Sequence, residues 1–391
     1  MTKLFFTTIL LSSLAILVKC SAQEKKSNLI TLNEVQKNGL KLEIPDSSLK
    51  KLLIVREKAI KAKILKDKKS YVNAKLKCGD KVIKASVRFK GDHVDHLDGN
   101  RWSFRVKTKN KGLVFGEDKF SIQGVHTRAF LNEWIFHKLL EKEELIYLQY
   151  YYIPFQINNI DSLKGIYAYE SHFKTNLLKI QNKKPGPIAK FEEDLFWDYK
   201  YRNGHPNRDS VIMTESKIKL TAQKGYKKSL KNILIKNLDN YRKGLTSADN
   251  VLDIKKWATF IAINGLMGSK HALRWHNLRF YLNPDTKLIE PIGFDCISWQ
   301  INRGAWFLEI NELEAFYRGL FESKKFISVL NKKAFQISEK KYFEDFLDDN
   351  KEELDKNISL IQLEKQEYRF WPISFFKNQD SINNILIKQH K

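Results

Sequence analysis

The stretch from Gly268 to Trp299, GSKHALRWHNLRFYLNPDTKLIEPIGFDCISW, gathers His271, His276, Asn277 and Asp295 into one short span. Leu278 to Leu282 reads as a strand, Asn283-Pro284-Asp285-Thr286 is turn chemistry, and Leu288 to Phe294 reads as the returning strand. The resulting hairpin places Asn277, just before its first strand, beside Asp295, just after its second. An amide oxygen and a carboxylate at one mouth are donors that a hard divalent cation takes, above all when phosphate oxygens complete its shell. Read alone, the pair is more simply a turn cap and the cap of whatever follows. Asp295 weighs against that reading. Gly293-Phe294 and Cys296-Ile297 give it apolar neighbours, and a carboxylate there needs a cation or a donor.

Upstream of the hairpin, Ser247 or Asp249 caps a helix whose Ile254, Trp257, Ala258 and Ile261 share one face and which stops near Gly265 or Gly268. Downstream, amphipathic segments from Ile310 to Leu363 cover it. Lys179 to Phe191, KIQNKKPGPIAKF, marks an exposed loop, and the chain after Lys174 reads as helical. The half before it alternates. Ala62–Ile64, Tyr71–Leu76, Val82–Phe89, Trp102–Val106, Tyr147–Asn158 and Ile166–Glu170 read as strands. A helix capped by Thr127 runs to about Leu140, with a stripe of Phe130, Leu131, Trp134, Ile135, Lys138 and Leu139 and with Glu133 off that stripe. Residues 23–55 read as a tether or extension, with Glu24 to Ile44 either a tether or a first irregular strand, 56–175 as a β-rich lobe and 176–391 as a mainly helical lobe carrying the 277–295 hairpin. The fold class expected is α+β.

The first residues, MTKLFFTTILLSSLAILVKCSAQ, join Lys3 to an apolar run and a small-residue site after Ala22, so 1–22 is expected to be a secretory signal. Lys19 is a poor neighbour for a lipid-anchored Cys20, which ranks second. A secreted or cell-envelope location follows, with no transmembrane segment after signal removal. Losing Lys3 and Lys19 and no acidic residue lowers the formal charge from +24 to +22. Such a balance favours polyanionic partners. With 42% hydrophobic and 12% aromatic residues the chain can bury a large core. Cys78 and Cys296 are too few for a disulfide scaffold, and the sequence leaves open whether they pair.

Five stretches, in order, resemble the CotH kinase family, the spore-coat protein H-like proteins. They are Val87–Asp92 (VRFKGD), Trp102–Lys107 (WSFRVK), Gly165–Glu170 (GIYAYE), Gly186-Pro187-Ile188, and the Asn277 to Asp295 block. The resemblance implies a two-lobed atypical protein-kinase-like fold that binds Mg2+ and ATP and phosphorylates Ser or Thr of an exported protein. Asn277 and Asp295 would hold the metal. Arg105 or Lys107 would contact phosphates, with Glu133 or Glu170 as partner; a strand points both basic residues to one side, so the choice stays open. Before His271, where the family pattern has a catalytic Asp, this chain has Ser269-Lys270, and Pro185 stands where an acidic residue is expected. Ser269 and His271 are therefore the candidate catalytic positions, His271 as substitute base, and a weakened enzyme or pseudokinase is implied.

Two rival readings start from the residues. His93, Asp95 and His96 with His271, His276 and Asp295 offer donors for a metal-dependent hydrolase. Alternatively the basic chain is a non-catalytic surface or coat protein that binds polyanions or partners. Nothing in it points to nucleic acid specificity beyond net charge.

Overall fold

The computed structural model describes residues 28–67, 69–92, 94–97, 99–203, 209–221, 224–296 and 315–389. The expected signal at 1–22, with Cys20, and His93 of the hydrolase reading lie outside these residues. Among the described residues the chain is α+β, with a β-rich N-terminal region, a helical C-terminal region, and no helix long and apolar enough to cross a membrane.

A short first strand, β1 (Leu29–Ile30), precedes a closed seven-stranded barrel. The barrel strands are β2 (Leu40–Glu43), β3 (Val72–Cys78), β4 (Lys81–Phe89), β5 (Phe104–Thr108), β7 (Lys119–Gly124), β8 (Tyr150–Ile157) and β9 (Gly165–Glu170). β6 (Leu113–Val114) pairs with β1 outside it. The period-two alternation read from Val82 to Phe89 is the cause: Ile83, Ala85, Val87 and Phe89 enter the barrel core with Phe104, Val106, Phe120, Ile122, Tyr167 and Tyr169. Closure comes from a segment expected to be either a tether or a first irregular strand, and it is the strand that forms. Leu40–Glu43 pairs antiparallel with β3 and parallel with β8, so residues from 40 onward belong to the fold.

Two further expectations fail here for local reasons. Ala62 ends a helix, Asp46–Ala62, rather than opening a strand; Pro45 precedes it, Asp46 sits in its first turn, and Lys63 in the left-handed region closes it. Thr127 does not cap the next helix. Its hydroxyl donates to the Gly124 carbonyl inside a 3-10 turn, Val125–Arg128, and the helix begins at Asn132 and runs to Lys142.

The second half is not wholly helical. β10 (Ile188–Phe191), β11 (Ile218–Leu220), β12 (Arg279–Leu282) and β13 (Ile289–Ile292) form a four-stranded sheet in the order β11-β10-β12-β13. β10, inside the stretch expected to be an exposed loop, and β11, in the part expected to be helical, are strands of only four and three residues, too short to read from pattern, whereas β12 and β13 are the two strands of the expected hairpin. The hairpin read from sequence is present, with Arg279 opposite Ile292 and Leu282 opposite Ile289, and the Asn283 side chain accepts from Asp285 N at 3.0 Å to make the turn. Asp253, rather than Ser247 or Asp249, caps the Ile254–Leu266 helix through Lys256 N. That helix lies in the larger core cluster, against the Lys324–Ser338 helix.

The Asn132–Lys142 helix joins the halves. Its Phe136, Leu139 and Leu140 belong to the C-terminal core, and a Cβ added to Gly293 would lie 2.0 Å from Leu140 Cδ1. Only glycine lets the end of the hairpin approach that closely, two residues before Asp295. On the far side Arg101 is ion-paired with Glu364, whose other oxygen accepts from Ile166 N at 3.1 Å. Cys78 and Cys296 are both free and buried in different clusters.

Candidate functional site

A cleft of about 830 Å³ opens between the outer wall of the barrel and the β10–β13 sheet. Ten lysine and arginine side chains line it against four carboxylates, which makes it a place for anions. The barrel supplies one wall by its pleat. Because Val87, Phe89, Phe104 and Val106 point inward, Arg88, Lys90 and Arg105 point out. The register then sets Arg88, Arg105, Ser121 and Glu170 in one row across four strands.

Lys90 follows β4 directly. Its Nζ donates to Glu170 Oε1 and to Gln123 Oε1, each at 2.7 Å, and both ends of the ion pair are buried. Glu170 also accepts from Ser121 Oγ at 3.1 Å and Gln123 Nε2 at 3.2 Å. Burial opposes its charge, yet Lys90, Arg105 and Arg128 hold the carboxyl down at about 2. Burial likewise pushes Lys90 down to about 8; Glu170 resists, while Arg128 and Arg105 add to the fall. Lys90 moves downward chiefly through burial, and Glu170 moves downward because the cations around it outweigh burial.

The opposite wall is built on Asp295. Its Oδ2 accepts from His271 Nε2 at 3.1 Å, which puts the imidazole proton on Nε2, and its Oδ1 lies 2.6 Å from Arg128 Nη2. The Arg128 contact is an ion pair rather than an aligned hydrogen bond, since Oδ1 finds no donor geometry among the described residues. Burial would raise the Asp295 carboxyl, but Arg128 and then His271 keep it well below the usual range. The backbone sits in the left-handed region, φ 63°, where Asp is tolerated, and its N–H donates to Glu133 Oε1 at 2.9 Å. Asn277 Nδ2 donates to the His271 carbonyl at 3.0 Å. Asn277 and Asp295 therefore meet at one cleft with His271 tied to each, and the cation that the apolar neighbours of Asp295 called for is a guanidinium.

The other expected positions divide. Arg105 is on the cleft wall, its Nη1 3.3 Å from His172 Nδ1, while Lys107 lies away from it with its ammonium 4.1 Å over the Tyr71 ring. Burial pushes Arg105 down to about 10. Glu133 is fully buried and pairs with neither; one oxygen takes the Asp295 N–H and lies 3.3 Å from His137 Nε2. Ser269 is buried behind His271, its Oγ accepting the His271 N–H at 3.3 Å. Lys90 and Arg128 were not singled out from sequence. Lys90 had a signal, a lysine next to glycine at the end of an apolar alternation; Arg128 had none, because its place depends on the turn that brings it to a residue far along the chain.

The donor set does not fit a divalent cation. One Asp295 oxygen faces the Arg128 guanidinium and the other accepts from His271 Nε2, Asn277 adds one neutral amide, and among the described residues no group of three or more His, Cys, Asp or Glu side chains could hold a metal. The same geometry disfavours the hydrolase reading: His96 is buried against Ser103 Oγ at 2.9 Å, and His276 stacks on Phe196 at 4.2 Å. Burial lowers His276 to about 3.

The chain matches no protein-family model and no curated protein.

Proposed function

We propose that this chain is an exported, two-lobed, kinase-like protein of the spore-coat protein H type. On this reading it binds ATP in the cleft and transfers the γ-phosphoryl group to a Ser or Thr hydroxyl of another exported protein. The observation that carries the reading is the buried Lys90–Glu170 ion pair on one wall of a cationic cleft whose other wall holds Asp295 with His271. Phosphoryl transfer asks mainly for positioning and charge neutralisation, and Lys90 and Arg105 supply fixed positive charge for phosphate oxygens. Magnesium, expected with ATP, is left out of the reading because Arg128 and His271 already match Asp295.

With Nε2–H held by Asp295, His271 keeps Nδ1 to take the proton of the attacking hydroxyl. The hydroxyl oxygen bonds to the γ-phosphorus as the bond to the β–γ bridging oxygen breaks, and ADP leaves with that electron pair. The proton ends on His271 Nδ1. The test is calorimetric titration of ATP into wild type and Lys90→Met: binding by the wild type and its loss in the variant are expected, and absence of binding by a folded wild type overturns the reading.

A second reading, non-catalytic binding of a polyanion, is favoured by the ten-to-four excess of cations in the cleft. Inorganic polyphosphate bound while ATP is not would select it.

A further inference from the structure

We infer, resting on the reading of the cleft as an ATP site, that Arg128 does the work of the divalent cation, so that a nucleoside triphosphate binds on fixed protein charges without metal. Arg128 is 3% exposed and held by its own turn, where Nη1 donates to the Thr127 carbonyl at 2.9 Å and the Thr127 hydroxyl donates to the Gly124 carbonyl at 2.7 Å. Around it stand the buried carboxylates of Glu133 and Glu170 and the partly buried one of Asp295, with the buried ammonium of Lys90 nearby. A magnesium ion approaches a carboxylate oxygen to roughly 2.0–2.1 Å. A guanidinium nitrogen 2.6 Å from Oδ1 occupies that approach, and moving it aside leaves a buried cation unpaired. Arg128 stays where it is more cheaply than a metal replaces it.

The phosphate side is equally provided for. Arg88, Arg105 and Lys119 stand on the outer barrel wall, and Lys119 has no carboxylate partner among the described residues. Burial, then Arg105, Lys107 and Lys174, push Lys119 down to about 7. A crowd of cations without counter-charge is relieved by a ligand of several negative charges, and a triphosphate without its metal carries more of them than the metal complex does.

Calorimetric titration of the whole protein with ATP, in EDTA and again in excess magnesium, tests this. The expected dissociation constants differ by less than about threefold. Binding at least about tenfold tighter in magnesium overturns the inference and leaves the ATP reading standing, whereas no binding in either condition removes both.

Discussion

Lys90 Nζ and Glu170 Oε1, eighty residues apart in the chain, meet at 2.7 Å in a part of the barrel wall that water scarcely reaches. Such a pair is a poor device for stability, because taking two charges out of water costs about as much as their attraction returns. Its value lies in position. The pair fixes an ammonium at the edge of a cleft, and Gln123 and Ser121 complete the hydrogen bonding, so the lysine has one place to be.

Breaking one side is therefore costly, while replacing both is not. Lys90→Met strands Glu170 and is expected to lower stability by about 3–5 kcal/mol, and adding Glu170→Leu to recover most of that loss. Urea unfolding measures both, and the double variant should refold yet fail to bind ATP. A cost under about 1 kcal/mol for the single variant would show that the pair does not form as described.

The crowded cations predict proton uptake. Lys119, at about 7, rises when an anion binds beside it, so at pH 7.5 the protein takes up protons on binding. Titrations in two buffers of different ionisation enthalpy read the number directly, and zero uptake refutes the assignment. Stability follows the same signs. Lys119 and Lys90 lie below the ordinary 10.5, so their unfavourable contribution is full below their folded values of about 7 and 8 and fades as pH rises from there toward 10.5. Glu170 lies below the ordinary 4.5, so its favourable contribution is full above 4.5 and is lost as pH falls toward about 2.

Much of this architecture is written in local pattern. The barrel strands alternate cleanly because one face enters a core, and Asn-Pro-Asp-Thr bends the hairpin that carries Asn277 and Asp295. What the pattern hides is long-range. The choice of Glu170 over Glu133 depends on the register of β7 against β9, and nothing near Glu133 says that its oxygen will hold a backbone N–H 162 residues away. Arg128 reads as an ordinary turn arginine until the fold sets Asp295 beside it. Leu40–Glu43 is short and charged, so its sequence leaves it between a tether and a first irregular strand until pairing with β3 and β8 closes the barrel.

His271 and Ser269 make opposite predictions although they are neighbours. His271 is on the cleft wall, partly exposed, and bonded to Asp295, so His271→Ala should lower kcat by about 10²- to 10⁴-fold with little change in folding. Ser269→Ala removes a buried hydroxyl that accepts from the His271 backbone N–H and should leave kcat within about threefold of wild type. Single-turnover phosphorylation of a Ser-containing peptide separates the two, and equal losses would mean that His271 is structural.

Gly91 carries the last prediction because two constraints meet there. Its φ is 97°, a region that favours glycine, and a Cβ would fall 2.1 Å from His96 Cδ2. His96 has little room to yield: its Nδ1 is 2.9 Å from Ser103 Oγ, and Ser103 O accepts from Lys90 N at 2.8 Å. Gly91→Ala should therefore lower stability by about 1–3 kcal/mol and also weaken ATP binding, since the displaced loop starts at Lys90. Gly99 is the control, with φ 57° but nothing within 4 Å of an added Cβ. Gly99→Ala should show only the conformational penalty, about 1–2 kcal/mol by urea unfolding, with ATP affinity unchanged. Equal effects of the two substitutions on affinity would mean that the His96 contact does not position Lys90.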